Sequence, residues 1–368
     1  MLCIRVRAEA VLGHHLRMGE WRLGHRPALD GVRGVAIGLV VVAHTGAPGL
    51  MPLGGAGVTL FFVLSGFLIT GLLLEERTAT GGIKLAGFYG RRVRRLAPAL
   101  VALVAVVVAL GQFLGSWWFE WTDLPPVLLY YGNWIEAGHP GPDVALGALS
   151  ITWSLAVEEQ FYTLWPVIVL ALGRRRRIVV LALALAAASL FCRVQLLDAT
   201  AVRVYYGSDT TAFALLVGAI AVGFRLGGGR GRCRTWVLAP ATGVIAWCLS
   251  WPLQAEVKLG LPLVAVASVA VIWACTGEGS VPLLELRALR WLGSRSYGLY
   301  LWHGPLLWAM RDHFGMPWQG VSLLGVPVSL LVAEASWRFV ESPWRRHNPL
   351  SAPKRESVSA AGVGGVAP

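Results

Sequence analysis

The chain has 368 residues, 56% of them hydrophobic and only 14% charged, with 44 glycines and 17 tryptophans. Soluble domains carry nearer a quarter charged residues, so an ordinary globular enzyme is excluded, and this much apolar surface also excludes a disordered chain. The net charge of +12 fits basic loops that meet anionic lipid, and no nucleic-acid partner is expected.

Apolar runs able to cross a core of roughly 30 Å fall at 32–50, 56–74, 97–115, 154–172, 178–192, 208–224, 235–251, 258–275, 296–314 and 319–337. A further run, 124–135, opens on Pro125-Pro126 and is too short to span, so it reads as re-entrant or interfacial. With ten spans and the N-terminus inside, 28 of the 32 Lys and Arg residues face the cytoplasm. Only Arg193, Arg203, Lys258 and Arg311 remain outside, as the positive-inside rule demands. The fold expected is all-α: a polytopic membrane protein of about ten transmembrane helices with both termini cytoplasmic. Residues 1–25 read as an N-terminal extension with Met18 as an alternative start, 26–347 as the membrane domain, and 348–368 as a disordered tail.

Ionisable side chains inside spans are expensive and therefore functional candidates. In the first span Arg33 and His44 are eleven residues apart, which returns them to one helical face about 16 Å apart along the axis. His44 then lies toward the outer half, where a neutral imidazole can act as general base or simply bond a neighbouring helix. Asp30 precedes this span and is placed to cap it. Ser65 in the second span reads as a close-packing residue.

Before the third span, Arg92 and Arg95 share a face at i and i+3. They can clamp phosphates or merely anchor the helix at the inner surface. In the fourth span Glu158 is predicted to orient His44, with Glu159 or Glu158 alternatively capping the helix start. In the ninth, Ser296, Tyr300 and His303 form one stripe that lines a polar cavity or bonds other helices. Five cysteines, none at C-x-x-C spacing, point to no metal site.

These pieces in this order resemble the membrane-bound acyltransferase 3 family of bacterial O-acyltransferases. The resemblance rests on Arg26 to Gly34 with His44, Phe61 to Phe67, Arg92-x-x-Arg95, Trp153 to Tyr162, Ser296 to His303 and Glu341-Ser342-Pro343. It implies an enzyme of the bacterial cytoplasmic membrane that moves an acyl group, often acetyl, from acyl-CoA to a hydroxyl. The implied acceptor is a sugar, a cell-envelope glycan, a lipid or a secreted metabolite. Acyl-CoA serves as cosubstrate, and no permanently bound cofactor is expected.

On this resemblance His44 and Arg33 belong to the essential motif, and Arg92 and Arg95 contact the donor; the expected mechanism adds Glu158 to the catalytic set as the partner of His44. Ser296, Tyr300, His303 and Asp30 contact substrate, with Tyr300 or His303 donating to the oxyanion. The sequence departs from the family at Thr211 and Phe213, which leaves Asp209 as the nearby carboxylate at the opening of the sixth span. No hydrolase-like domain is expected beyond the last span. The competing reading is a carrier of an envelope precursor or acyl group, in which buried His and Glu relay protons without ester chemistry.

Overall fold

A computed structural model describes residues 23–139, 144–225, 235–277 and 279–346, which are helical with no strand among them. The expected alternative start, most of the N-terminal extension and the disordered tail fall outside these residues. Each predicted apolar run overlaps a helix, the run 32–50 only as far as Ala43. Six helical stretches are long and apolar enough to cross a membrane: Pro52–Thr80, Leu85–Leu114, Gly147–Leu172, Arg175–Gln195, Leu253–Thr276 and Trp318–Arg345. Ser208–Phe224 and Thr235–Leu249 are shorter apolar helices.

The helices that build the site are α1 (Pro27–Ala43), α2 (Pro52–Thr80) and α3 (Leu85–Leu114). They are joined by α4 (Trp153–Leu172), α5 (Arg175–Gln195), α6 (Ser208–Arg225), α7 (Leu261–Thr276) and α8 (Arg287–Trp308). The first span ends earlier than its apolar run. His44 caps α1, because Gly46 and Gly49 take positive φ of 81° and 75° and turn the chain before Pro52 starts α2. The 124–135 run forms two short helices, Leu124–Leu128 and Gly132–Gly138, neither long enough to span.

Helix α2 is the buried centre, while α3, α5 and the stretch Trp318–Arg345 leave most of their apolar windows exposed, as lipid-facing helices do. It lies against α6 backbone to backbone. A methyl group on Gly66 would overlap the Leu215 carbonyl, and one on Gly218 would overlap that of Val63. Crossings this close depend on small residues, since lipid supplies no hydrophobic drive between helices. Gly66→Ala should therefore cost about 1–3 kcal/mol by overpacking and lower the unfolding temperature in detergent. Gly82→Ala, which faces open space, should leave that temperature unchanged.

Candidate active site

A cavity of about 940 Å³ opens at the end of the bundle that carries the basic loops. Its rim includes Glu75, Glu76, Arg91 and Arg175, and both of these arginines are exposed. Deeper, α1 supplies Arg33, α2 supplies Ser65, and α3 supplies Arg92 and Arg95. Ser154, Glu158 and Tyr162 come from α4, and Ser296 and Tyr300 from α8. Arg33, Arg92 and Arg95, expected to act from two separate helices, thus meet in one chamber.

Each arginine is held differently. The Arg92 guanidinium lies 3.7 Å from the centre of the Tyr162 ring and 5.8 Å from that of Phe88, a stack that fixes its plane while leaving its N–H edges free to bind. Arg33 sits 3.9 Å from Asp30. Arg95 Nε is buried with no hydrogen-bond partner among the described residues. A buried donor left unpaired costs about 1–3 kcal/mol, and the residue that carries it lines the cavity. The lining brings five arginines together with three glutamates, so it attracts anions.

Glu158 does not pair with His44. Ser65 Oγ donates to Glu158 Oε1 at 2.6 Å, which makes Ser65 a cavity residue rather than a packing one. The reason is depth. His44 stands beside His303, their ring centres 5.0 Å apart, whereas Ser154 Oγ shares a hydrogen bond of 2.6 Å with Tyr300 Oη. Tyr300 is one turn below His303 on α8, and Glu158 is one turn below Ser154 on α4. At 1.5 Å per residue this puts the carboxylate about 10 Å beneath the imidazole.

The cavity lining stops at Ser154 and Tyr300, and the two histidines lie beyond that roof. The predicted Ser296, Tyr300, His303 stripe is therefore split: the first two line the chamber and His303 lies above it. His44 Nδ1 is 2.8 Å from the Val40 carbonyl and His303 Nδ1 is 3.0 Å from that of Leu299. A carbonyl only accepts, so each neutral ring carries its proton on Nδ1 and keeps its lone pair on Nε2. His303 Nε2 is buried without a partner among the described residues. His44 is half-buried, with Trp308 at 6.0 Å on its other side.

Two further expectations are corrected. Helix α1 begins at Pro27, so Asp30 lies inside its first turn, bonded to His25 at 3.2 Å, and is absent from the chamber wall. Helix α4 begins at Trp153, so neither Glu158 nor Glu159 is at the start to cap it. Sequence reading assigned Ser65 to packing and left Tyr162 without a role, although both stand in motifs quoted above. Their spacing on their own helices gave no sign that they face Glu158 and Arg92.

The chain belongs to the acyltransferase domain family, whose model matches residues 26–337. It is 31% identical to the peptidoglycan O-acetyltransferase OatA of Listeria monocytogenes, over 87% of this chain and 56% of that protein. It is 32% identical to the putative peptidoglycan O-acetyltransferase YrhL of Bacillus subtilis, over 87% of this chain and 55% of that one. A putative O-acetyltransferase of Staphylococcus aureus is 28% identical over 88% of this chain and 58% of its own length. The chain thus spans a little over half the length of these curated relatives. No solved structure matches it.

Proposed function

We propose that this protein is a ten-span O-acyltransferase of the bacterial cytoplasmic membrane, with both termini inside. It transfers a short acyl group from acyl-CoA to a hydroxyl of a cell-envelope glycan. The observation that carries this reading is the arginine-lined chamber, which opens on the basic end of the bundle and rises to the Ser154–Tyr300 roof beneath two imidazoles. Names of the relatives support the glycan acceptor. The basic mouth and the excess of arginine over glutamate support a phosphorylated donor.

Donor phosphates bind Arg92 and Arg95, and the pantetheine arm runs past Ser65 and Glu158 toward the roof. Parting of Ser154 and Tyr300 brings the thioester to His44. The acceptor hydroxyl oxygen attacks the thioester carbonyl carbon while its proton passes to His44 Nε2. The developing oxyanion takes a hydrogen bond from Tyr300, whose hydroxyl can donate; neutral His303 presents only a lone pair. The C–S bond breaks, the thiolate recovers the proton from the imidazolium, and ester and free CoA result. Glu158 acts below this step, by holding Ser65 and balancing the arginines.

Acceptor-dependent release of thiol from acetyl-CoA in proteoliposomes tests the assignment. Stoichiometric thiol and ester are expected. Passage of acyl groups or glycan with no thiol released would establish the carrier reading instead.

A further inference from the structure

On the far side of the roof a second polar cluster surrounds Glu256, which takes no part in the steps above. It is fully buried, opens the π-helical turn Glu256–Gly260 ahead of α7, and neither carboxylate oxygen meets a donor among the described residues. Arg193 is the nearby cation, yet its guanidinium is spent elsewhere. Nε donates to the Lys258 carbonyl at 3.1 Å, Nη1 to that of Thr210 at 2.7 Å, and Nη2 to that of Val257. Arg193, expected on the outer side of the membrane, is buried in the bundle. It balances the charge of Glu256 through space without filling its lone pairs.

A carboxylate has about four acceptor positions, and leaving them empty in a buried site is costly. The carboxylate points at the first turn of α2. Glu256 Oε1 is 3.0 Å from the place a methyl on Gly55 would take, while the corresponding place on Gly54 is 3.9 Å from His44 Cε1. Carboxylate and imidazole thus flank successive residues in the first turns of α2. Arg193 Nη1 also lies 3.4 Å from the Val204 carbonyl, which ties the Glu256 turn to the segment carrying Tyr205, whose ring centre is 4.7 Å from that of Trp153. Tyr206 closes on the same indole at 4.8 Å.

We infer that Glu256 is the acceptor-binding residue: its carboxylate takes hydrogen bonds from sugar hydroxyls, in a subsite walled by Trp153, Tyr205 and Tyr206. The chemistry matches a polyol, which offers several O–H donors to a carboxylate and apolar C–H faces to aromatic rings. A glycan held there presents a neighbouring hydroxyl toward His44. The inference rests on the acyl-transfer reading and adds to it the place where the acceptor binds.

The test uses the full chain in proteoliposomes, with radiolabelled acetyl-CoA and a tetrasaccharide cut from peptidoglycan glycan strands. E256Q removes the charge and half the acceptor capacity, and the acceptor KM should rise roughly 10- to 100-fold, as for loss of hydrogen bonds to a charged group. The donor KM should stay within about twofold. E256D keeps the charge opposite Arg193 but withdraws the oxygens by one methylene, and should also raise the acceptor KM. An E256D protein with wild-type acceptor KM, or an E256Q protein that loses only thermal stability, would reduce Glu256 to a counter-ion and overturn the inference. Both results leave acyl transfer by the wild type intact, whereas absence of ester from the wild type would remove the function itself.

Discussion

Arg95→Ala is expected to raise the KM for acyl-CoA about 100-fold, equivalent to roughly 2.7 kcal/mol, with a smaller change in kcat. Arg95 lines the chamber and its buried Nε has no partner among the described residues. A charge-assisted bond to a phosphate in such a place contributes about 1.5–3 kcal/mol. Exposed Arg91 and Arg175 at the rim are screened by salt and should cost only a few-fold when replaced. Lysine at position 95 should recover little, because a point charge lacks the planar fork that meets two oxygens at once. Arg92→Ala should act in the same direction and also free the Tyr162 ring it covers. Initial rates over a range of donor concentrations, at fixed saturating acceptor, give the measurement. Unaltered donor KM in both alanine variants would detach the chamber from donor binding.

His44→Ala should lower kcat by about 10³-fold, within the range of 10²–10⁴ that general-base catalysis supplies, and leave both KM values within threefold. Its Nδ1 is anchored to the Val40 carbonyl, so Nε2 is the atom free to take a proton. His44→Gln is the sharper variant: its side chain retains hydrogen-bonding ability but has no basic nitrogen at neutral pH. Single-turnover ester formation in membranes, after checking that the variant protein is inserted and binds CoA, separates chemistry from folding. Near wild-type turnover in both variants would move the base elsewhere, with buried His303 the first candidate by proximity.

Much of this architecture is legible before any coordinates. Helical periodicity joined Arg33 to the His44 face, and the charge pattern separated 124–135 from the spanning helices. Arg92 and Arg95, read from one i, i+3 spacing, do share a chamber wall. What failed is depth between helices. Periodicity gives angle around one axis but nothing about how far one helix slides past another, so Glu158 was set beside His44 when it lies about two turns lower. Asp30 falls inside the helix rather than at its cap because Pro27 starts α1 five residues before the apolar run 32–50 begins. Glu256 escaped notice because it stands just outside the apolar run 258–275, and because a π-turn inserts a residue without leaving any compositional mark.

The hydrogen bond between Ser154 and Tyr300 bears on the cell's energy supply. A wet channel running the full height of the bundle would let protons fall down their gradient with every idle second. On the proposed placement in the cytoplasmic membrane, a latch of one hydroxyl on another makes the chamber work as an airlock that keeps the respiratory potential intact between turnovers.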